Sequence, residues 1–229
     1  MSNLTVLFYT CNQKPEPFAT NVRNVLLEAI GELPLISISH QPLDFGRNIC
    51  IGESRISAYT LYQQVLIGAE EAKTDYIACT EDDVLYAADE FTFRPPDKET
   101  FCYNKNRWWI ESSGLFRWRN RTALSGCVAP RQLMIDTLKR LFEKFPVHPE
   151  TREGLTGFAE PGRYEVYLGL PQVNLSFFRT KIPIVTFNTK PSLGGLRKSD
   201  PRDLYTETLP YWGTARKLWD KLHGTSLTK

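Results

Sequence analysis

Three consecutive acids, Glu81, Asp82 and Asp83, are the strongest chemical signal in this sequence. They follow the apolar, β-prone run 76–79, which predicts that they lie at the carboxyl end of a strand. Adjacent carboxylates repel one another, so such a strand end needs a cation or a set of hydrogen-bond donors. Mg²⁺ and Mn²⁺ bind carboxylate oxygens together with diphosphate oxygens. The alternative is a solvated acidic turn after an edge strand.

The chain that leads to these acids predicts an alternating β-α-β-loop-α-β order. Apolar runs predict strands over 4–9 and 35–39, and apolar residues at helical spacing predict helices over 18–30 and 57–73. This order is typical of a parallel sheet with helices on its faces. Open sheets of this kind bind ligands at the carboxyl ends of their strands, where the acids are expected.

Further polar residues occupy positions from which a nucleotide could be bound. Thr10 and Asn12 follow the first strand, and Arg47, Asn48 and Arg55 lie in a stretch, 41–56, that is predicted to be irregular. Arginine can donate two hydrogen bonds to a phosphate or a carboxylate. The alternative for each arginine is an ordinary surface ion pair.

Composition excludes several classes of protein. A formal net charge of +2 gives no overall field that favours nucleic acid or a membrane surface. No basic leader is evident, and no apolar run is long enough to span a bilayer. Five cysteines are scattered without a CxxC pair, which predicts free thiols, no zinc site and a cytoplasmic location.

The residues after 86 change in character. Tryptophans and arginines alternate over 103–121, which suits an acceptor platform, a nucleic-acid surface or simply core packing. For Trp108 and Trp109 we expect one buried and one exposed ring, since neighbours in a strand point to opposite sides. Helices are predicted over 130–145, 163–170 and 211–222. A late strand over 182–187 is predicted at a sheet edge because of Pro183.

Several of these motifs together resemble the GT-A glycosyltransferases, in particular family 2-like enzymes and bacterial and phage glycosyltransferase-like proteins. The resemblance covers roughly residues 4–145. It rests on the order 46–48, long helix, 75–77, 81–83, and on three segments: 81–86 (Glu-Asp-Asp-Val-Leu-Tyr), 103–108 (Tyr-Asn-Lys-Asn-Arg-Trp) and 124–126 (Leu-Ser-Gly). It implies an α/β GT-A-like (Rossmann-like) single domain over 1–229, with a mixed central sheet flanked by helices. A nucleotide-sugar half, 1–86, and an acceptor-side half, 87–229, would share that sheet.

The resemblance also implies roles for the acids. Asp83 would bind Mn²⁺ or Mg²⁺, Glu81 would bind the metal through water or hold the ribose, and Asp82 would hydrogen-bond the ribose or sugar. On this view Asp83→Asn should relieve repulsion and, if anything, stabilise the free protein. An inverting reaction needs a carboxylate base, for which Glu165 is the first candidate and Glu160 the second. A retaining reaction would need neither.

The loop 191–198 resembles a lid whose Arg197 and Lys198 could meet phosphate, although a plain surface loop has the same composition. Related enzymes often carry a histidine metal ligand near this loop. Here the nearest candidates are Asn188 and the more distant His223, so a third metal ligand is not identified.

The sequence therefore predicts metal-dependent glycosyl transfer from a nucleotide sugar, most simply a UDP-sugar, to an unknown acceptor. Two alternatives remain. One is a phage-type DNA glycosyltransferase that acts on a hydroxymethylated base, and the other is a non-catalytic GT-A-like binding protein.

Overall fold

A computed structural model describes residues 3–118, 120–150, 158–188 and 203–225. Its helices are α1 (Phe18–Ile30), α2 (Ala58–Glu71), α3 (Arg131–Lys144) and α4 (Ala215–His223). Its strands are β1 (Leu4–Thr10), β2 (Leu35–Ser39), β3 (Arg47–Cys50), β4 (Tyr76–Glu81), β5 (Val84–Leu85), β6 (Thr100–Asn104), β7 (Arg107–Ile110), β8 (Phe116–Trp118), β9 (Cys127–Pro130), β10 (Asn174–Phe178), β11 (Ile184–Phe187), β12 (Leu204–Thr206), β13 (Thr208–Leu209) and β14 (Gly213–Thr214). Two short 3-10 helices, Ala88–Thr92 and Leu124–Gly126, complete the elements.

A mixed seven-stranded sheet with the order β10-β6-β9-β4-β1-β2-β3 forms the centre of the molecule. Strands β3, β2, β1 and β4 run parallel, and β9 is antiparallel to both β4 and β6. Every residue of β1 is buried, because the strand is covered on both faces. Helices α2 and α3 pack on one face around Leu7, and α1 packs on the other around Phe8. The predicted α/β fold with a helix-flanked mixed sheet is confirmed.

A second, five-stranded sheet has the order β12-β8-β7-β11-β5, where one shared sheet was predicted. Strand β11 lies inside this sheet, between β7 and β5, so the predicted edge position is wrong. Pro183 precedes the first residue of β11, where its missing N–H costs no hydrogen bond of the ladder. The Pro183 carbonyl instead accepts a hydrogen bond of 2.7 Å from the indole of Trp212.

Local predictions differ from the structure in three places. Residues 47–50 form strand β3 at the edge of the large sheet instead of irregular chain. Residues 164–170 form consecutive turns, closed by bonds such as Leu168 N–H to the Tyr164 carbonyl, instead of a helix. Strand β10 was not predicted at all. The other helices lie close to their predicted ranges.

Helix α1 connects the two sheets. Its buried residues recur at intervals of four, and Leu26 and Ile30 pack with the large sheet whereas Phe18 and Val22 pack with the small one. The ring of Phe18 meets that of Phe187 of β11 edge-on, with centroids 4.9 Å apart. Among the described residues, no helix is long and apolar enough to cross a membrane.

Candidate functional site

A cavity of about 830 Å³ lies where the two sheets meet. The carboxyl ends of β1 and β4 contribute one wall, and the start of α2 contributes Ser57 and Thr60. The opposite wall comes from β7, β8 and β11 of the small sheet and from residues 158–164. The cavity therefore lies at the strand ends where a doubly wound sheet binds its ligands.

The strand ends at this edge are fixed from behind by a buried amide. The Gln64 side chain of α2 is 4% exposed and donates hydrogen bonds of 2.9 Å to the Thr10 carbonyl and 3.0 Å to the Ile38 carbonyl. These two carbonyls lie at or next to the ends of the neighbouring strands β1 and β2. Gln64 thus holds the first loop of the cavity in place.

The three acids all line the cavity, but each one has a different partner. Glu81 is paired in register with Tyr9, whose hydroxyl donates to the Glu81 carboxylate at 3.1 Å. The Thr10 hydroxyl donates to Asp82 at 2.5 Å. The Asp83 carboxylate diverges from both.

Asp83 forms a buried ion pair with Lys14. The Lys14 ammonium lies 2.8 Å from Asp83 Oδ2, and the two side chains are 6% and 10% exposed. The sequence analysis missed Lys14, which is one lysine in an irregular segment and belongs to no motif. The backbone of Asp83 is also held, since its carbonyl accepts a 2.8 Å hydrogen bond from the Phe187 N–H of β11.

Burial and repulsion raise the pKa values of Glu81 and Asp82 above those of ordinary carboxyl groups. Burial first, and then the charge of Asp83, raise the pKa of Glu81 to about 7 and that of Asp82 to about 6. Arg107 opposes the rise at Glu81, whereas Lys14 opposes the rise at Asp82. Burial disfavours the charged form of Lys14, but the charges of Asp83 and Asp82 outweigh it and raise the Lys14 pKa.

Among the three acids, Asp83 has a buried oxygen that is left for a divalent ion. Within the described residues, no three His, Cys, Asp or Glu side chains converge in a metal-binding group. The buried Asp83 Oδ1 nevertheless has no hydrogen-bond partner there. Magnesium is often held by one or two carboxylates plus substrate phosphates, so Asp83 fits this pattern. Glu81, the second predicted ligand, is instead engaged by Tyr9.

Of the predicted donor-binding residues, Thr10, Glu81 and Asp82 line the cavity and Asn12 does not. Asn12 shapes the loop that carries Lys14. Its backbone has a φ of 58°, and its side-chain oxygen accepts hydrogen bonds of 2.9 Å from the N–H groups of residues 40 and 41.

The three residues predicted in the stretch 41–56 also lie outside the cavity lining. Arg47 forms an exposed ion pair with Glu71. The Asn48 amide donates hydrogen bonds of 2.9 Å to the hydroxyls of Ser37 and Ser39, and so fastens β3 to β2. Arg55 is exposed. A strand and its anchoring side chains occupy part of this stretch, so none of the three residues lines the cavity.

The two candidate bases are placed differently. Glu160 lines the cavity and forms a 2.8 Å ion pair with Arg163. Glu165 does not line it, and its carboxylate accepts hydrogen bonds from the N–H groups of Gly162 and Tyr164 at 2.8 and 3.1 Å. A carboxylate used in this way stabilises a turn, so the order of preference between the two candidates is reversed.

The small sheet contributes a basic and aromatic wall, in a segment for which the sequence offered an acceptor platform as one of three readings. Arg107 and Trp109 share one face of β7, and Arg117 lies opposite Trp109 on β8. The two guanidinium carbons lie 5.3 and 5.8 Å from the Trp109 ring centre. The alternation of residues 107 and 109 was a usable signal, since a period of two places both on one face.

Residues 189–202, which include Arg197 and Lys198, lie outside the described part of the chain. Asn188 lines the cavity. His223 stacks on Trp219 with ring centres 4.3 Å apart and is not part of the cavity lining.

Comparison with known proteins places this fold. No family model matches the chain, and no curated protein matches its sequence. A solved glycosyltransferase involved in glycosylation of the major capsid of PBCV-1 is 12% identical over 81% of this chain and 93% of its own, with a TM-score of 0.50.

Two more distant structures are also similar in part. TarS 1-349 of S. aureus, solved in complex with UDP-GlcNAc, is 10% identical over 87% of this chain and 62% of its own, with a TM-score of 0.49. The glycosyltransferase GlyE of Streptococcus pneumoniae is 10% identical over 76% of this chain and 44% of its own, with a TM-score of 0.46. From its sheet topology and its likeness to the PBCV-1 structure, the chain has a GT-A-like glycosyltransferase fold.

Proposed function

We propose that this protein is a glycosyltransferase that uses a nucleotide-sugar donor, most simply a UDP-sugar. The observation that supports this best is the cavity at the carboxyl ends of β1 and β4, lined by Thr10 and the three acids. The donor named for one neighbour, UDP-GlcNAc, belongs to the same chemical class. On this proposal residues 1–86 bind the donor and residues 87–229 bind the acceptor, in a protein that works in the cytoplasm.

Each residue of the donor side has a distinct task in this proposal. Lys14 and Thr10 lie where the diphosphate would enter, and Lys14 brings positive charge that favours the departing nucleoside diphosphate. Asp82 is placed for a hydroxyl of the ribose or sugar. Asp83 Oδ1 would hold Mn²⁺ or Mg²⁺, which when bound supplies further charge neutralisation at the leaving group.

Glu160 is the proposed base that takes the proton of the acceptor hydroxyl in an inverting transfer. It lies on the segment 158–164, which belongs to the cavity wall opposite the acid triplet. Arg163 forms a 2.8 Å ion pair with the Glu160 carboxylate. Glu81 and Asp82 are poorer candidates, because they belong to the donor side and accept hydrogen bonds from Tyr9 and Thr10 there.

Donor binding tests the proposal directly. Thermal unfolding should be measured with UDP, UDP-glucose and UDP-GlcNAc, each with and without Mn²⁺, since a ligand that binds the folded state raises its unfolding temperature. We expect a concentration-dependent rise with UDP compounds, and slow hydrolysis of the matching UDP-sugar. Binding without hydrolysis or transfer would favour the non-catalytic alternative. No binding to any of these compounds would contradict the proposal.

The DNA-directed alternative receives less support from the arrangement of the arginines. Arg107 and Arg117 are 6% and 2% exposed and face a cavity. A duplex would instead need an exposed basic surface that follows its phosphates.

A further inference from the structure

Arg107 is a buried cation for which the described residues supply no carboxylate partner. The residue is 6% exposed, and its Nε donates to the Thr186 hydroxyl at 3.0 Å. Its guanidinium lies near the Trp109 ring, 5.3 Å from the ring centre. No acid of the described chain forms an ion pair with it. Glu81 acts on Arg107 electrostatically without forming a salt bridge, so an anion bonded directly to the guanidinium would still reduce the cost of burying this charge.

Arg107 lies at the other end of the acid triplet from Lys14. Lys14 acts on Asp82 and Asp83, whereas Arg107 acts on Glu81. Lys14 and Arg107 therefore lie beside different members of the acid triplet. If a diphosphate binds beside Lys14, Arg107 remains available for a different anionic group.

The surroundings of Arg107 belong to the acceptor side. Trp109 and Arg117 stand beside it on the small sheet, and Arg121 and Arg163 line the same cavity. Arg117 already has a carboxylate partner, since Glu111 lies 2.9 Å from it. Arg163 is likewise paired with Glu160. Arg121 lines the cavity as an exposed side chain, so Arg107 is the buried cation of this set without a salt bridge to a described residue, and the one placed for an oxyanion brought in by a ligand.

We propose that the acceptor of this enzyme carries an oxyanion, a phosphate or a carboxylate, which binds Arg107 beside the indole of Trp109. To call this ligand an acceptor rests on the proposed glycosyl transfer. The anion site itself does not depend on that activity. The planar guanidinium can donate two parallel hydrogen bonds to either group. The Thr186 hydroxyl orients it by accepting the Nε hydrogen.

The experiment is a calorimetric titration of inorganic phosphate, methyl phosphate or acetate into the protein saturated with UDP, so that the diphosphate position is filled. We expect phosphate or acetate to bind the wild-type protein and to bind Arg107→Met at least tenfold more weakly. The affinity of UDP for Arg107→Met should stay within about threefold of wild type. Arg216→Met is the matched control, since Arg216 is an exposed residue of α4, and it should change neither affinity.

Three results would overturn the proposal. These are a wild-type protein that binds none of the three anions, an Arg107→Met protein that binds them normally, and an Arg107→Met protein that loses UDP as strongly as it loses phosphate. A further arm compares UDP-glucose with UDP-glucuronic acid. If Arg107→Met weakens only UDP-glucuronic acid, the anion belongs to the donor sugar and the acceptor assignment is wrong.

Two further measurements cover the cases in which Arg107→Met does not fold or UDP does not bind. If Arg107→Met does not fold, Thr186→Val removes the orienting hydroxyl while the charge stays, and phosphate affinity should fall several-fold. If UDP does not bind at all, the proposed function fails separately. Phosphate titrations of wild type and Arg107→Met without UDP then still decide whether Arg107 binds an oxyanion.

Discussion

At the scale of single residues, the buried pair between Lys14 and Asp83 controls the charge of the acid triplet. Three adjacent acids suggested a metal or a donor network as their neutraliser, and the structure supplies an ammonium for one of them and hydroxyls for the other two. The chemistry of the triplet could be predicted from its own sequence. Its partners could not, because Tyr9, Thr10 and Lys14 lie about seventy residues earlier and meet the acids only through the parallel register of β1 and β4.

Removing Lys14 should destabilise the protein. In Lys14→Met the buried Asp83 carboxylate loses its counter-ion, which typically costs about 3–5 kcal/mol. Urea unfolding at pH 7 measures the loss in the free energy of unfolding. The double variant Lys14→Met, Asp83→Asn removes both charges and should recover most of it. A Lys14→Met protein as stable as wild type would show that this pair does not stabilise the fold.

Asp83→Asn should now destabilise the free protein, contrary to the gain expected from the sequence. The substitution relieves repulsion within the triplet, but it also leaves the buried Lys14 ammonium with a neutral partner. The second effect outweighs the first, because a hydrogen bond to a charged group contributes about 1.5–3 kcal/mol. Thermal unfolding of the variant without ligand decides the sign, and a raised unfolding temperature would restore the original expectation.

At the scale of elements, the sequence predicted helices and strands that have a strong apolar periodicity. It did not predict strands that depend on pairing with distant parts of the chain. The alternating run of strands and helices up to β4 was predictable, since each element carries its own apolar pattern. Strand β3 was not, because its four residues, Arg-Asn-Ile-Cys, have no strand pattern and are ordered by the Asn48 amide. For the segment that contains β7 the sequence left an acceptor platform open as one of three readings, and it did not single out Arg107. Only the assembled small sheet shows that Arg107 faces the acids.

The 3-10 helix Ala88–Thr92 carries a buried acid whose titration should be visible in the stability of the whole fold. Glu90 is 2% exposed, accepts a 2.5 Å hydrogen bond from the Asn104 amide, and has its pKa raised by burial to about 8. In an unfolded chain this carboxyl titrates near 4.3. The folded state therefore retains a proton that the unfolded state has lost throughout the interval between these values.

The contribution of Glu90 is fully present below about pH 4.3 and is lost as pH rises through about 8. Within that interval it should lower the free energy of unfolding by about 1.4 kcal/mol per pH unit. Glu90→Gln keeps the shape of the side chain and removes the titratable carboxyl group. Its free energy of unfolding, measured in urea from pH 5.5 to 8.5, should fall less steeply than that of wild type. Parallel curves would contradict the raised pKa.

At the scale of the whole molecule, helix α1 packs against both sheets and so helps to fix the cavity between them. Leu26 and Ile30 pack with the large sheet, and Phe18 and Val22 pack with the small one. The donor-side acids lie on the first sheet and its connection, whereas Arg107 lies on the second. Any loosening between the sheets therefore changes the distance between the two sides of the site.

Phe18→Ala tests whether the two sheets form one cooperative unit. Phe18 is 2% exposed and contacts Phe187 of the small sheet, so its truncation should cost about 3–5 kcal/mol. We expect one unfolding transition in the wild type and in the variant, with far-ultraviolet circular dichroism and tryptophan fluorescence changing together. Fluorescence reports mainly on the small sheet and α4, where Trp108, Trp109, Trp118 and Trp219 lie. If fluorescence changes at a lower urea concentration than dichroism in Phe18→Ala, the small sheet unfolds separately.

Binding of UDP gives a second measure of the same point. UDP should still bind the donor side of such a partly unfolded protein, whereas in a single cooperative unit UDP binding is lost together with both optical signals.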